Sequence, residues 1–153
     1  MFIGAHEAET PYKTLIGNAA WLLLHTAPYQ ADLLSGDALL RFARNYATFA
    51  ESLVTIYPCE ECRTHAIANE ELQQALVHLH AYALGLNASS PSAVADALAI
   101  HACRMHNAVS MHGVAVGDAR VQAEMMQGFI RRMDCGSLEP AYVARVLRAR
   151  WKS

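Results

Sequence analysis

Cys59-Glu60-Glu61-Cys62 is the stretch of this chain with the plainest chemical capacity. Two cysteines at this spacing can form and break a disulfide, or supply half of a metal site. Tyr57-Pro58 precedes them. The residue before a proline avoids the α region, and proline suits the first turn of a new helix. The pair is therefore expected to open a helix, where free N–H groups and the positive dipole end favour a thiolate. Three readings compete. Two reduced thiols at a helix end would be inert, small apolar residues. Cys59 and Cys62 with Cys103 and His106 would make a three-cysteine, one-histidine zinc set, although the second pair lies mid-helix and far along the chain. A redox pair would work by thiol–disulfide exchange. No βαβ pattern surrounds the pair, which argues against a thioredoxin-type host.

The elements that must position these sulfurs read as helices. Thr10-Pro11 has the form of a cap followed by proline, and a helix is expected from there to about Ala27, before Pro28. Along it Leu15, Ala19, Leu22 and Thr26 share one stripe, and Gly17, Asn18, Trp21 and His25 the next. By spacing alone Trp21 is a core residue and His25 a satisfied core histidine. A second helix is expected from Ala38 to Ile56, with Leu39, Phe42, Ala43, Tyr46, Phe49, Ala50 and Leu53 at helical spacing. From Arg63 to Leu84 the pattern is helical with a break near Asn69. Ser90-Pro91 opens a helix to about Met111. Val94, Leu98, His101, Met105 and Val109 mark its apolar side, and Cys103, His106, Asn107 and Ser110 a polar side that is either solvated or turned to a ligand. Gly113 to Gly117 reads as a connector, Asp118 to Met133 and Ser137 to Arg150 as two further helices. Five or six helices without strands make an all-α bundle.

Composition sets bounds. The chain has 153 residues, enough for one domain with a real core. Hydrophobic residues make up 54% and charged residues 17%, which excludes a disordered chain. A net charge of −2 with no basic stripe makes nucleic acid a poor partner. No apolar run approaches the length of a membrane span. Met1 to Glu7 has no basic segment followed by an apolar core, so an unprocessed, cytoplasmic protein is expected. Cysteines in such a compartment are reactive or metal-bound more often than framework disulfides.

Three blocks then occur in a telling order: Gly17-x-x-x-Trp21-x-x-Leu24-His25-Thr26, Tyr57-Pro58-Cys59-x-x-Cys62, and His106-Asn107-x-Val109. Together they resemble the Erv/ALR-type sulfhydryl oxidases, small FAD-binding helical bundles, usually homodimers, that make disulfides using oxygen. The resemblance covers roughly residues 10–113 and implies a four-helix bundle around FAD, with residues 114–153 as a C-terminal helical extension. It implies that Cys59 and Cys62 are the redox-active pair, Cys62 next to the flavin and Cys59 exchanging with incoming thiols. It implies a cofactor contact surface of Gly17, Asn18, Trp21, His25, Tyr57, Cys62, Cys103, His106, Asn107, Val109 and Ser110. Electrons would run from a dithiol protein substrate or thioredoxin-like shuttle to the pair, to FAD, and to oxygen as hydrogen peroxide. The resemblance thus moves Trp21 and His25 from core to cofactor. Compact members of this kind resemble those of large cytoplasmic DNA viruses, which would place the protein in host cytoplasm or virion.

The chain also departs from the family pattern. His101 stands where a tryptophan is usual, and Ser110 where an asparagine is usual. The basic residues often found near the cofactor phosphates are missing, leaving Arg104, His112 or Arg120 as candidates. No tail cysteine pair is present to relay electrons to Cys59. Cys103 and Cys135 could pair, but their distance in sequence favours two unpaired cysteines. Around the redox pair, Glu60 and Glu61 oppose a thiolate and Arg63 favours one, with no net sign legible in the sequence.

Overall fold

The computed structural model describes residues 5–87, 90–115 and 135, with side chains described for 16–87, 90–112 and 135. The described residues are all-α, with five α-helices and no strand among them. Helix α1 spans Ala5–Thr26 and so begins upstream of Thr10-Pro11. Pro11 is therefore the seventh residue of the helix, past the first turn, where a proline removes the backbone hydrogen bond to the residue four before it. A seven-residue 3₁₀ segment, Ala27–Leu33, follows directly. It was not expected from the sequence, where Pro28 reads simply as a stop.

Pro28 has no N–H to offer the carbonyl of Leu24 four residues earlier. That carbonyl instead accepts a 2.6 Å hydrogen bond from the buried hydroxyl of Tyr46. The bond ties the end of α1 to α2, Gly36–Ile56. Burial in this place drives the Tyr46 hydroxyl strongly against ionisation. Gly36 has a φ of +53°, a conformation that glycine takes without a Cβ clash. The α2 face anticipated as core is core: Leu39, Ala43, Tyr46 and Ala50 are buried.

Helix α3, Glu60–Ala68, and α4, Glu70–Gly85, are separated by Asn69, where the sequence pattern breaks. Helix α5 runs Pro91–Ala115, past the connector expected at Gly113. It packs against α4 and the 3₁₀ segment, while α2 packs against α4. Val94, Leu98, Ala102 and Met105 of α5 are essentially inaccessible and form the centre of the core with Leu79 of α4. Val109 leaves this pattern at 41% exposure. The two further helices expected over 118–133 and 137–150, and Arg120, lie outside the described residues.

Candidate redox site beside an apolar cavity

Tyr57-Pro58-Cys59 connects α2 to α3 in a tight turn. The Cys59 N–H donates to the carbonyl of Tyr57 across Pro58 at 2.8 Å. Cys59 is the N-cap of α3, and its Sγ accepts the Cys62 N–H at 3.2 Å. The expectation that the pair opens a helix therefore holds. The two cysteines are joined, with Cα atoms 5.2 Å apart. Their accessibilities differ: Cys59 is only 5% exposed, whereas Cys62 is half-buried and lines a cavity.

That cavity has a volume of about 220 Å³ and is apolar almost throughout. It lies between α1, α2, α3, α4 and α5. Gly17 and Trp21 line it from α1, Tyr57 and Cys62 from the turn and α3, and Val109 from α5. A Cβ at Gly17 would stand 3.3 Å from the Tyr57 hydroxyl, a tight contact that a shift of that hydroxyl by a few tenths of an ångström would relieve. Burial pushes the Tyr57 hydroxyl toward staying protonated. Leu53, Val54, Leu76 and Met105 also belong to the lining and were not singled out from sequence as site residues. Leu53 and Met105 sit on stripes read as core, and an apolar cavity wall has the same periodicity as a core.

A platform of three rings adjoins the cavity. Trp21 and His106 stack with centroids 4.1 Å apart and planes 10° from parallel. His25 lies 5.2 Å from His106, centroid to centroid. The His25 Nε2 and His106 Nδ1 atoms are 2.9 Å apart, so one nitrogen donates and the other accepts. Burial holds both imidazoles toward the neutral form; His106 falls to about 4, through burial first and then the neighbouring His25. A neutral pair of this kind can share a proton or turn one hydrogen-bonding edge outward.

The remaining sequence-derived positions are distributed differently. Asn18 is exposed and Ser110 half-buried, and neither lines the cavity. Cys103 is fully buried and bonded to Cys135, so the preference for two unpaired cysteines gives way to a crosslink. Asn107 is also buried and donates from Nδ2 to the Cys135 sulfur at 3.1 Å. The polar side of α5 is thus neither simply solvated nor wholly turned to the cavity. With Cys103 held by Cys135, the four residues of the zinc set are not gathered. Among the described residues no group of three or more histidine, cysteine or acidic side chains is placed to hold a metal ion.

No helix among the described residues is long and apolar enough to cross a membrane. Comparison with protein-family models, with curated proteins and with solved structures finds no match for this chain.

Proposed function

We propose that this chain is an FAD-linked sulfhydryl oxidase of the Erv/ALR kind, a thiol:oxygen oxidoreductase whose helices form a four-helix bundle around the cofactor. The observation that carries the reading is the placement of Cys62. It belongs to a disulfide at a helix N-terminus and lines an apolar cavity beside an aromatic and imidazole platform. A second sulfur partner would not need such a slot; a flat redox ring would.

The residues present fit the ring part of that cofactor. Gly17, Trp21, Tyr57 and Val109 would enclose a planar ring against Cys62, with His25 and His106 supplying polar edges. The cavity has room for a ring system and not for a whole dinucleotide, whose remainder would extend along the Trp21–His106 platform. Among the described residues no arginine or lysine lines the cavity, and Arg104 is exposed, so the phosphates have no assigned cation. Bound there, FAD would supply the two-electron acceptor that passes electrons to oxygen as hydrogen peroxide.

The chain's own part is thiol chemistry. A substrate thiolate attacks Cys59 Sγ and the Cys59–Cys62 bond breaks, leaving a mixed disulfide and a Cys62 thiolate. The substrate's second thiol then attacks its own sulfur in that mixed disulfide and releases Cys59. Substrate is oxidised by two electrons and the pair is reduced by two. The Cys62 N–H, 3.2 Å from Cys59 Sγ, is placed to donate to the Cys59 thiolate released. Because Cys59 is almost covered, exchange there requires the Tyr57–Cys59 turn to open. Partners of this reading are a dithiol protein or thioredoxin-like shuttle, oxygen, and a second copy of the chain. Leu22 and Leu23, both about half exposed on α1, suit the dimer seam.

The visible absorption spectrum tests the proposal. Purified protein should be yellow, and anaerobic dithiol should bleach it. Cys62→Ser should keep the colour and lose oxygen consumption with dithiol by at least about a hundredfold. Colourless protein that takes up no added FAD would remove the reading.

A further inference from the structure

Arg63 follows the redox pair, and its side chain turns back along the chain instead of into solvent. Its Nη1 donates to the carbonyl of Tyr57. The same carbonyl accepts the Cys59 N–H at 2.8 Å, so both of its lone pairs are engaged. The Arg63 N–H donates to the Cys59 carbonyl at 3.0 Å, closing the first turn of α3. Tyr57, Cys59 and Arg63 are thereby locked in one ring of hydrogen bonds around Pro58. A guanidinium keeps its charge at any working pH, and its planar fork loses little freedom in such a contact.

From this arrangement we propose that Arg63 is the positioning residue of the redox pair: its guanidinium fixes the turn that sets Tyr57 in the cavity wall and holds a positive charge on the carbonyl to which the Cys59 N–H also donates. On this proposal the charge balance around Cys59 favours the thiolate. Glu60 and Glu61 are exposed, where water and salt screen them. Arg63 is half-buried and held on the Tyr57 carbonyl, so its charge is screened less than theirs. When the pair is reduced, the Cys59 thiol gives its proton to solvent, and the thiolate left behind is stabilised by the helix N-terminus and Arg63 together. This rests on the redox reading of the pair and is independent of the flavin.

The test is alkylation of the dithiol-reduced protein by iodoacetamide across a pH series without oxygen, with Cys59 followed by peptide mass. Arg63→Gln should move the pH midpoint for Cys59 upward by roughly half a unit to one unit. Arg63→Lys keeps the charge but not the planar fork, and should move it less than half as far. A Gln midpoint superimposed on that of the unmodified protein, or a Lys midpoint displaced as far as Gln, overturns the proposal. Thermal unfolding identifies a variant that has not folded. Should that be Arg63→Gln, a folded Arg63→Lys protein with its midpoint raised by a full unit overturns the proposal by itself. Protein that binds no flavin would defeat the oxidase reading and leave this measurement standing; a flavoprotein with an unmoved midpoint would do the reverse.

Discussion

His101 is the residue whose chemistry sits least easily with its surroundings. It is 8% exposed, its ring lies 5.5 Å from that of Tyr82, and its Nδ1 has no hydrogen-bond partner among the described residues. Burial, then the nearby Arg104 and His78, lower its pKa from 6.5 to about 4. His25 and His106 are shifted in the same direction. A histidine that binds protons more weakly in the folded state leaves the unfolded chain holding more of them between pH 6.5 and 4. Stability is therefore full above that window and falls as pH drops through it. For His101 alone the loss between pH 7.5 and pH 5 should be about 2 kcal/mol. Urea unfolding at the two pH values should show it, and His101→Leu should flatten the difference by about that amount. An unchanged pH dependence in that variant would mean that His101 is better solvated than its burial indicates.

At the scale of elements, the break between α3 and α4 decides where the redox pair points. Asn69 makes that break with one buried side chain. Its Oδ1 accepts the Leu72 N–H at 3.1 Å and caps α4, while its Nδ2 donates to the Ala108 carbonyl of α5 at 2.9 Å. The Asn69 N–H meanwhile closes the end of α3 onto Ala66. One amide thus ends α3, starts α4 and joins both to α5, which carries Met105 and Val109 in the cavity wall. Asn69→Ala should cost about 2–3 kcal/mol, a cap and a buried hydrogen bond together. Chemical denaturation measures it, and a loss below about half a kilocalorie would show that the amide is replaceable by water. The break itself is visible in sequence, because asparagine is a poor helix interior and a good cap. Its second bond is not, since nothing in sequence tells which carbonyl on a distant helix its NH₂ group will reach.

Over the whole molecule, the Cys103–Cys135 crosslink joins the middle of α5 to a residue 32 positions further along the chain. It also brings the Cys135 sulfur onto Asn107. Cys103 is completely covered, which makes it a poor relay for electrons and a good anchor. Closing a loop of this length in the unfolded chain is worth about 3.5–4 kcal/mol in the chain-entropy view. Cys103→Ser should lower stability by that order, as read from unfolding with and without strong reductant. Should the reading of α5 as a cofactor helix hold, the same variant should also weaken FAD retention, because Asn107 loses its sulfur partner. A variant as stable as the parent in oxidising buffer would show that the crosslink is not formed in solution.

The sequence by itself determined the all-α class of the fold and the place where the cysteine pair opens a helix. Helical periodicity, proline and the Asn69 cap are local signals, and they marked the α3–α4 break, the end of α1 to within a residue, and the opening of α3 by Cys59. Tertiary structure alone decided which faces meet. By spacing alone Trp21 and His25 read as ordinary core, and only the fold brings His106 of α5 against them. Leu53 and Met105 carry the same apolar spacing whether they fill a core or wall a cavity. Val109 lies on the apolar stripe of α5 and is nonetheless partly exposed, because the cavity stands where a neighbouring side chain would be. Cys103 and Cys135 look like isolated thiols because distance along the chain does not set distance in space. That the Arg63 side chain folds onto the Tyr57 carbonyl while Glu60 and Glu61 face water is likewise visible only in the fold. Residue type and spacing act along the chain, whereas burial, screening and contact depend on what the fold packs beside each residue.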